Sequence, residues 1–149
     1  LFGPGNLIEA GRSIIELRLT EFCGLGPAIY DPFAGVRLHE LRLTAKRLRY
    51  SIDLFAVCWG EEIMQFAAEL ASLQTLLGDV HDCDVWIGSF TKLLKKDGKA
   101  KDPDRSAAAK WLLSRFVGKR SKAYRAALDL WSEWEANGFV DRLGELIRE

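Results

Sequence analysis

The sequence predicts an all-α protein, an antiparallel helical bundle of four to six helices with one or two long helices. Apolar residues recur at intervals of three and four along the chain, β-branched runs are short, and turn signals separate segments of helical length. Because the expected loops are short, consecutive helices should pack as antiparallel neighbours.

The composition is that of one globular domain. The 149 residues are 48% hydrophobic and 28% charged, which excludes a disordered or collagen-like chain. Uncharged stretches fall short of the roughly 20 apolar residues that span a bilayer, and no signal peptide is visible. The first residue is not Met, which hints at a fragment. Three widely spaced cysteines, Cys23, Cys58 and Cys83, predict reduced thiols in a cytoplasmic protein.

Turn and capping signals place the first two helices. Helix one is expected to begin at Asn6 and to end in the glycine and proline cluster of residues 24–27. A second, long helix should open at Asp31 and Pro32 and reach about Val57.

Glycines delimit the middle of the chain. Gly60 is expected to end the second helix, and a third should run from Glu61 to about Leu77. Gly78 then predicts a joint before a fourth helix over residues 82–96, with the neighbouring aspartates as caps.

The last third predicts the longest helix. After a polar loop at residues 97–104, Asp104 should cap a helix that continues to Glu135. Asn137 and Gly138 then break it, and a short helix ends the chain.

Charge is segregated along the chain although the formal net charge is zero. Residues 53–84 contain acids without a single Lys or Arg, whereas residues 105–125 contain only basic charges. Partner choice therefore depends on local charge.

Residues 38–50, LHELRLTAKRLRY, combine an apolar stripe with a line of cations. Four positions at spacings of three, four and three, beginning at His39, occupy one arc roughly 80° wide beside that stripe. Like charges so close repel by a few tenths of a kcal/mol per pair, which favours a bound anion. The apolar stripe is Leu38, Leu41, Ala45, Leu48, Ile52 and Phe55, and the line is His39, Arg42, Lys46 and Arg49, with Arg47 close by.

The longest helix repeats this pattern. Arg115, Lys119 and Lys122 follow spacings of four and three, with Arg125 near them. Spacing alone leaves open whether the two basic stripes face one groove. The alternative for each stripe is a solvated surface, and for His39 alone a packed, hydrogen-bonded side chain.

The sequence offers little evidence for a metal site or for catalysis. His81 and Asp82 resemble a metal-binding pair, but further ligands are missing, so neither a metal nor another cofactor is expected. No phosphate-binding glycine loop or nucleophile motif occurs, and we recognise no catalytic constellation. Trp59, next to Gly60, is the tryptophan least expected to serve core packing.

The stretch 38–50 resembles the signature of the CHAD family, the conserved histidine α-helical domains, whose motif reads roughly LHxLRxxxKRLRY. A second block, residues 72–85, is similar to the family's LQxxLG run followed by an acidic turn. The matching positions are Leu38, His39, Leu41, Arg42, Lys46, Arg47, Leu48, Arg49 and Tyr50, then Leu73, Gln74, Leu77, Gly78 and Asp82.

This resemblance implies a helical domain with a basic channel that binds inorganic polyphosphate or a similar polyanion without chemistry on it. It places His39, Arg42, Lys46 and Arg49 on the phosphate-binding surface, and it implies a triphosphate-handling enzyme as a partner. Because no basic block precedes Arg37, we expect residues 1–149 to form one domain matching roughly the C-terminal half of the family's domain. Self-association would then complete the groove.

Three alternatives remain open. A nucleic-acid-binding domain would present similar charge contacts, but the stripes lack aromatic stacking platforms and base-reading Asn or Gln. A scaffold could dock an acidic partner protein on the same stripes. A metal-dependent phosphohydrolase would use His81 and Asp82.

Overall fold

A computed structural model describes residues 4–100 and 102–149. Within these residues it contains five α-helices, one 3₁₀ helix and no strand, which confirms the all-α prediction. Two of the helices, with 40 and 35 residues, are long. The elements are α1 (Pro4–Leu25), the 3₁₀ helix (Gly26–Tyr30), α2 (Gly35–Trp59), α3 (Glu61–Ala100), α4 (Pro103–Asn137) and α5 (Phe139–Leu146).

The predicted joint at Gly78 is wrong, because α3 runs through it without a break. A glycine inside a helix costs only about 1 kcal/mol relative to alanine, and α3 packs against both α2 and α4. Asp79 and Asp82 therefore lie inside a helix and cap none.

Three other helix starts differ from the prediction. α1 begins at Pro4, before Asn6. α2 begins only at Gly35 because the Asp31 carboxylate accepts a hydrogen bond from the Phe33 amide at 3.0 Å and holds a turn there. The cap of α4 is Asp102, which accepts from the Arg105 amide at 3.2 Å, instead of Asp104. The predicted ends of α2 and α4 are confirmed by glycines with positive φ, Gly60 (71°) and Gly138 (68°).

The helices α1 to α4 pack in chain order, each against the next, and α5 contacts α3 and α4. The apolar stripe predicted on α2 is buried along its whole length. It meets a core that also includes Phe22 of α1, Leu70 of α3 and Phe139 of α5. Within the described residues, no helix has the length and apolar character required to traverse a bilayer.

Beyond this core, α3 and α4 continue as a two-helix arm. Between Asp84 and Lys96 none of the described side chains is fully buried. Trp86 and Trp111 are 51% and 61% exposed on this arm. The expectation that Trp59 is the exception among the tryptophans is wrong, since Trp59 packs against the core.

Candidate functional site

The cationic line of α2 lies along the contact between α2 and α3. The His39 ring stacks on the His81 ring of α3, with centroids 3.9 Å apart and planes inclined by 22°. One turn further along α2, Arg42 passes over Gly78, where an added Cβ would lie 3.2 Å from the Arg42 Nε. Residue numbers rise along α2 and fall along α3, so the helices are antiparallel. We call His39, Arg42, Lys46 and Arg49 the basic seam.

The seam holds polar atoms that are buried without a hydrogen-bond partner. Among the described residues such atoms are the His39 Nδ1, the Arg42 Nε, the Arg49 Nε and the Gln74 Oε1, with the Trp134 Nε1 elsewhere in the core. Gln74 precedes Gly78 by one turn on the same face of α3. An unsatisfied buried polar group costs about 1–3 kcal/mol. A concentration of them at one helix contact calls for partners that the described side chains do not supply, such as water or a bound ligand.

No carboxylate neutralises the seam. Within the described part of the chain, no acidic oxygen lies within 4.0 Å of the charged nitrogens of Arg42, Lys46 or Arg49. Lys46 and Arg49 instead pack on the half-exposed Tyr50 ring, 5.6 and 4.8 Å from its centroid. The Tyr50 ring thus holds the two charged groups in place through cation–π contacts without neutralising them.

Burial lowers the pKa of the His39 imidazole below its ordinary value. Electrostatic interaction with His81 and Arg42 lowers the His39 pKa further, and Glu40 opposes this effect. His39 is therefore neutral at neutral pH, with one ring nitrogen as a donor and the other as an acceptor. An anion at the seam would restore part of its basicity.

The contact between Arg42 and Gly78 gives a test of the seam. Gly78→Ala should stabilise α3 by up to about 1 kcal/mol through helix propensity. The new Cβ should also displace the Arg42 side chain and so weaken any anion binding at the seam severalfold. Gly88→Ala, on the same helix with nothing within 4 Å of the added Cβ, is the matched control. Urea unfolding and calorimetric titration measure the two effects; equal affinity in both variants would contradict this geometry.

The other predicted site residues lie elsewhere. Arg47 is exposed on a different face of α2. Arg115 and Arg125 are exposed on α4, and the Arg115 guanidinium lies 5.5 Å from the Trp111 ring centroid. These residues do not join the seam.

Lys119 and Lys122 face an acidic neighbour. They line a cavity of about 510 Å³ together with Asp79 and Asp82 of α3. His39 lines a different cavity, of about 720 Å³, and the two linings have no residue in common. The structure therefore does not bring the two predicted stripes into one cavity, and the α4 stripe has internal acids beside it.

Sequence analysis missed the ion pair that closes the end of the seam. Arg120 of α4 donates to Asp84 of α3 through its Nε at 2.5 Å and its Nη2 at 3.4 Å. The Asp84 Oδ2 lies 3.0 Å from the position of a Cβ on Gly35, the first residue of α2. The pair joins α3 to α4 close to the start of α2, and no local spacing could have indicated it.

His81 has a role that its sequence context did not suggest. It stacks on His39 and lines the same cavity. Among the described residues there is no group of three or more His, Cys, Asp or Glu side chains that could hold a metal ion. The similarity of residues 72–85 to the family's second block was the one signal that this segment faces the motif of α2.

The model of the CHAD domain family matches residues 11–91. This range contains the basic seam and the face of α3 that packs on it. The expected match to roughly the C-terminal half of the family's domain is off, since the matched range is the first and middle part of the chain; that expectation depended only on a missing basic block. No curated protein and no solved structure matches the chain.

Proposed function

The chain belongs to the CHAD domain family, and from this premise we propose that it is a non-catalytic module that binds inorganic polyphosphate or a similar linear polyanion along the basic seam. The groove in this proposal lies between α2 and α3. The basic stripe of α4 plays at most an accessory part, because Asp79 and Asp82 lie beside Lys119 and Lys122.

The observation that carries this proposal is the row of buried donors without partners, the Arg42 Nε, the Arg49 Nε and the His39 Nδ1 when that nitrogen is protonated. Phosphate oxygens accept charge-assisted hydrogen bonds from guanidinium groups, often two at a time. Lys46 adds a point charge between the two arginines. Each contact would satisfy a donor that folding leaves unpaired.

The shape of the seam favours an extended ligand. From His39 to Arg49 α2 advances about 15 Å at 1.5 Å per residue. The cations follow one line along this length, so a chain of linked phosphates meets several of them in succession. Many moderate contacts then add to a strong, salt-sensitive affinity.

A second candidate, single-stranded nucleic acid, is favoured by the α3–α4 arm. The expectation that the stripes lack aromatic platforms is wrong for α4, because Arg115 packs over the exposed Trp111 and Lys119 lies 5.7 Å from the Phe116 ring. Trp86 stacks on Phe116 with centroids 5.9 Å apart. Exposed aromatic rings beside cations are typical of base-stacking surfaces, although the nearby aspartates oppose a phosphate backbone.

Calorimetric titration with long-chain polyphosphate at several salt concentrations tests the proposal. We expect binding that weakens steeply as salt rises, because counterions are released from the polyanion. Single-stranded and duplex DNA at equal phosphate concentration should displace polyphosphate poorly. Absence of salt-sensitive binding, or preference for single-stranded DNA, would favour the alternatives.

The proposal also covers the location of the protein and its partners. It includes a cytoplasmic location, a triphosphate-handling enzyme as a partner and self-association that lengthens the groove. All three cysteines are free, which fits a reducing compartment. If the seam docks an acidic partner protein, polyphosphate should compete with that protein in a pulldown. If the protein is a metal-dependent phosphohydrolase, it should release phosphate only when a divalent metal is present.

A further inference from the structure

A second binding feature adjoins the His39 end of the seam. The cavity of about 720 Å³ there is lined by residues of α2, α3, α4 and the turn before α2. This volume falls within the roughly 300–1,000 Å³ of typical small-molecule sites. Most of its wall is apolar, with Phe33, Val36, Val85, Ile87 and Val117.

The apolar wall is unusually open to solvent. Phe33 is 91% exposed and Val36 is 77% exposed. Phe33 lies in the turn before α2 and Val36 in its first turn, and both are within two helical turns of His39 along the chain. A phosphate chain has no apolar surface to place against them, so polyphosphate alone leaves this wall without a function.

Polar groups are few and lie at defined places in the cavity. His39 and His81 mark its boundary with the seam, and the Ser121 side chain belongs to the α4 wall. The carboxylate of Asp84 is paired with Arg120, which offsets its repulsion of an anion. A mostly apolar pocket with a small number of placed polar groups is typical of small-molecule binding sites.

We propose that the ligand of this site is a nucleoside oligophosphate whose base occupies the cavity and whose phosphates lie along the basic seam. This inference rests on the proposed anion binding at the seam and names a ligand class for it. A flat base would cover Phe33 and Val36 while its polar edge meets Ser121 or His81. Because the cavity lies at one end of the seam, it would accept a single terminal base instead of the successive bases of a strand.

The test compares ATP with inorganic tripolyphosphate by calorimetry, at matched ionic strength and with EDTA present. ATP carries less charge for the same number of phosphates, so a purely electrostatic seam would bind it more weakly. We expect ATP to bind at least about tenfold more tightly, a difference of about 1.4 kcal/mol. In Phe33→Ala and in Val36→Ser the ratio of the two affinities should fall toward one.

Val57→Ser is the matched control, since Val57 is 80% exposed near the other end of α2 and outside this cavity. It should leave both affinities unchanged. The inference is overturned if tripolyphosphate binds and ATP binds no better, or if ATP still binds more tightly than tripolyphosphate in both cavity variants. In either case the base does not occupy this cavity, while anion binding at the seam stands. If neither ligand binds and long-chain polyphosphate also fails, the proposed function itself is lost.

Discussion

Replacing Arg42 and Lys46 together by Glu should reduce the affinity for long-chain polyphosphate by at least about 100-fold. Hydrogen bonds to charged groups contribute about 1.5–3 kcal/mol each, and each 1.4 kcal/mol is a tenfold change in affinity. The reversal removes two such contacts and adds repulsion at the centre of the seam. Titration at fixed salt measures the change, and the slope of affinity against salt should become shallower.

The control for this double variant is Lys92→Glu with Lys95→Glu on the exposed arm of α3. This control changes the net charge as much as the double variant of the seam, but its two positions lie away from the seam. Its affinity for long-chain polyphosphate should therefore fall only a few-fold. Circular dichroism should show both variants folded, as none of the four side chains is fully buried. If the two variants weaken binding equally, overall charge and not the seam holds the ligand.

Phe139→Ala should cost about 3–5 kcal/mol of unfolding free energy, the usual range for a buried aromatic residue truncated to alanine. Phe139 is 1% exposed, stacks on Trp134 at 4.2 Å and meets the edge of Phe66 at 5.2 Å. Its loss would open a cavity where α5 packs against α3 and α4. Urea unfolding followed by circular dichroism measures the change.

Phe33→Ala provides the matched comparison, because the same truncation at a 91% exposed position should change stability by less than about 0.5 kcal/mol.

The Phe139 result also bears on the extent of the domain. Residues 92–149 lie outside the family match, yet Phe139, Leu143 and Ile147 belong to the same core as α1 and α2. A loss below about 1 kcal/mol for Phe139→Ala would mean that α5 contributes little to this core.

The sequence predicts the class of the fold and the buried face of α2, because helical periodicity is a local property. The six residues of the apolar stripe, from Leu38 at one end to Phe55 at the other, are buried in the core as expected. Periodicity also places His39, Arg42 and Lys46 on one line. Periodicity could not predict that α3 continues through Gly78. A glycine in a helical pattern indicates a helix end unless the tertiary packing that stabilises the helix there is known.

What the sequence could not predict is which helix faces each stripe. Spacing shows which residues share a face, but the register of α2 against α3 decides that Arg42 passes over Gly78 and that His39 meets His81. The same limitation explains why Lys119 and Lys122 seemed equivalent to the seam. Asp79 and Asp82, about 40 positions away in sequence, line their cavity only after α3 and α4 have paired.

In the proposed binding mode, the unpartnered guanidinium donors of the seam hold the anion. Arginine Nε–H resonances of the ¹⁵N-labelled protein, followed during a titration with long-chain polyphosphate, test it most directly. We expect the Arg42 and Arg49 signals to shift and exchange more slowly, while the signal of Arg120, which is already bonded to Asp84, stays unchanged. Shifts at Arg115 and Arg125 of α4, with Arg42 and Arg49 unmoved, would contradict it.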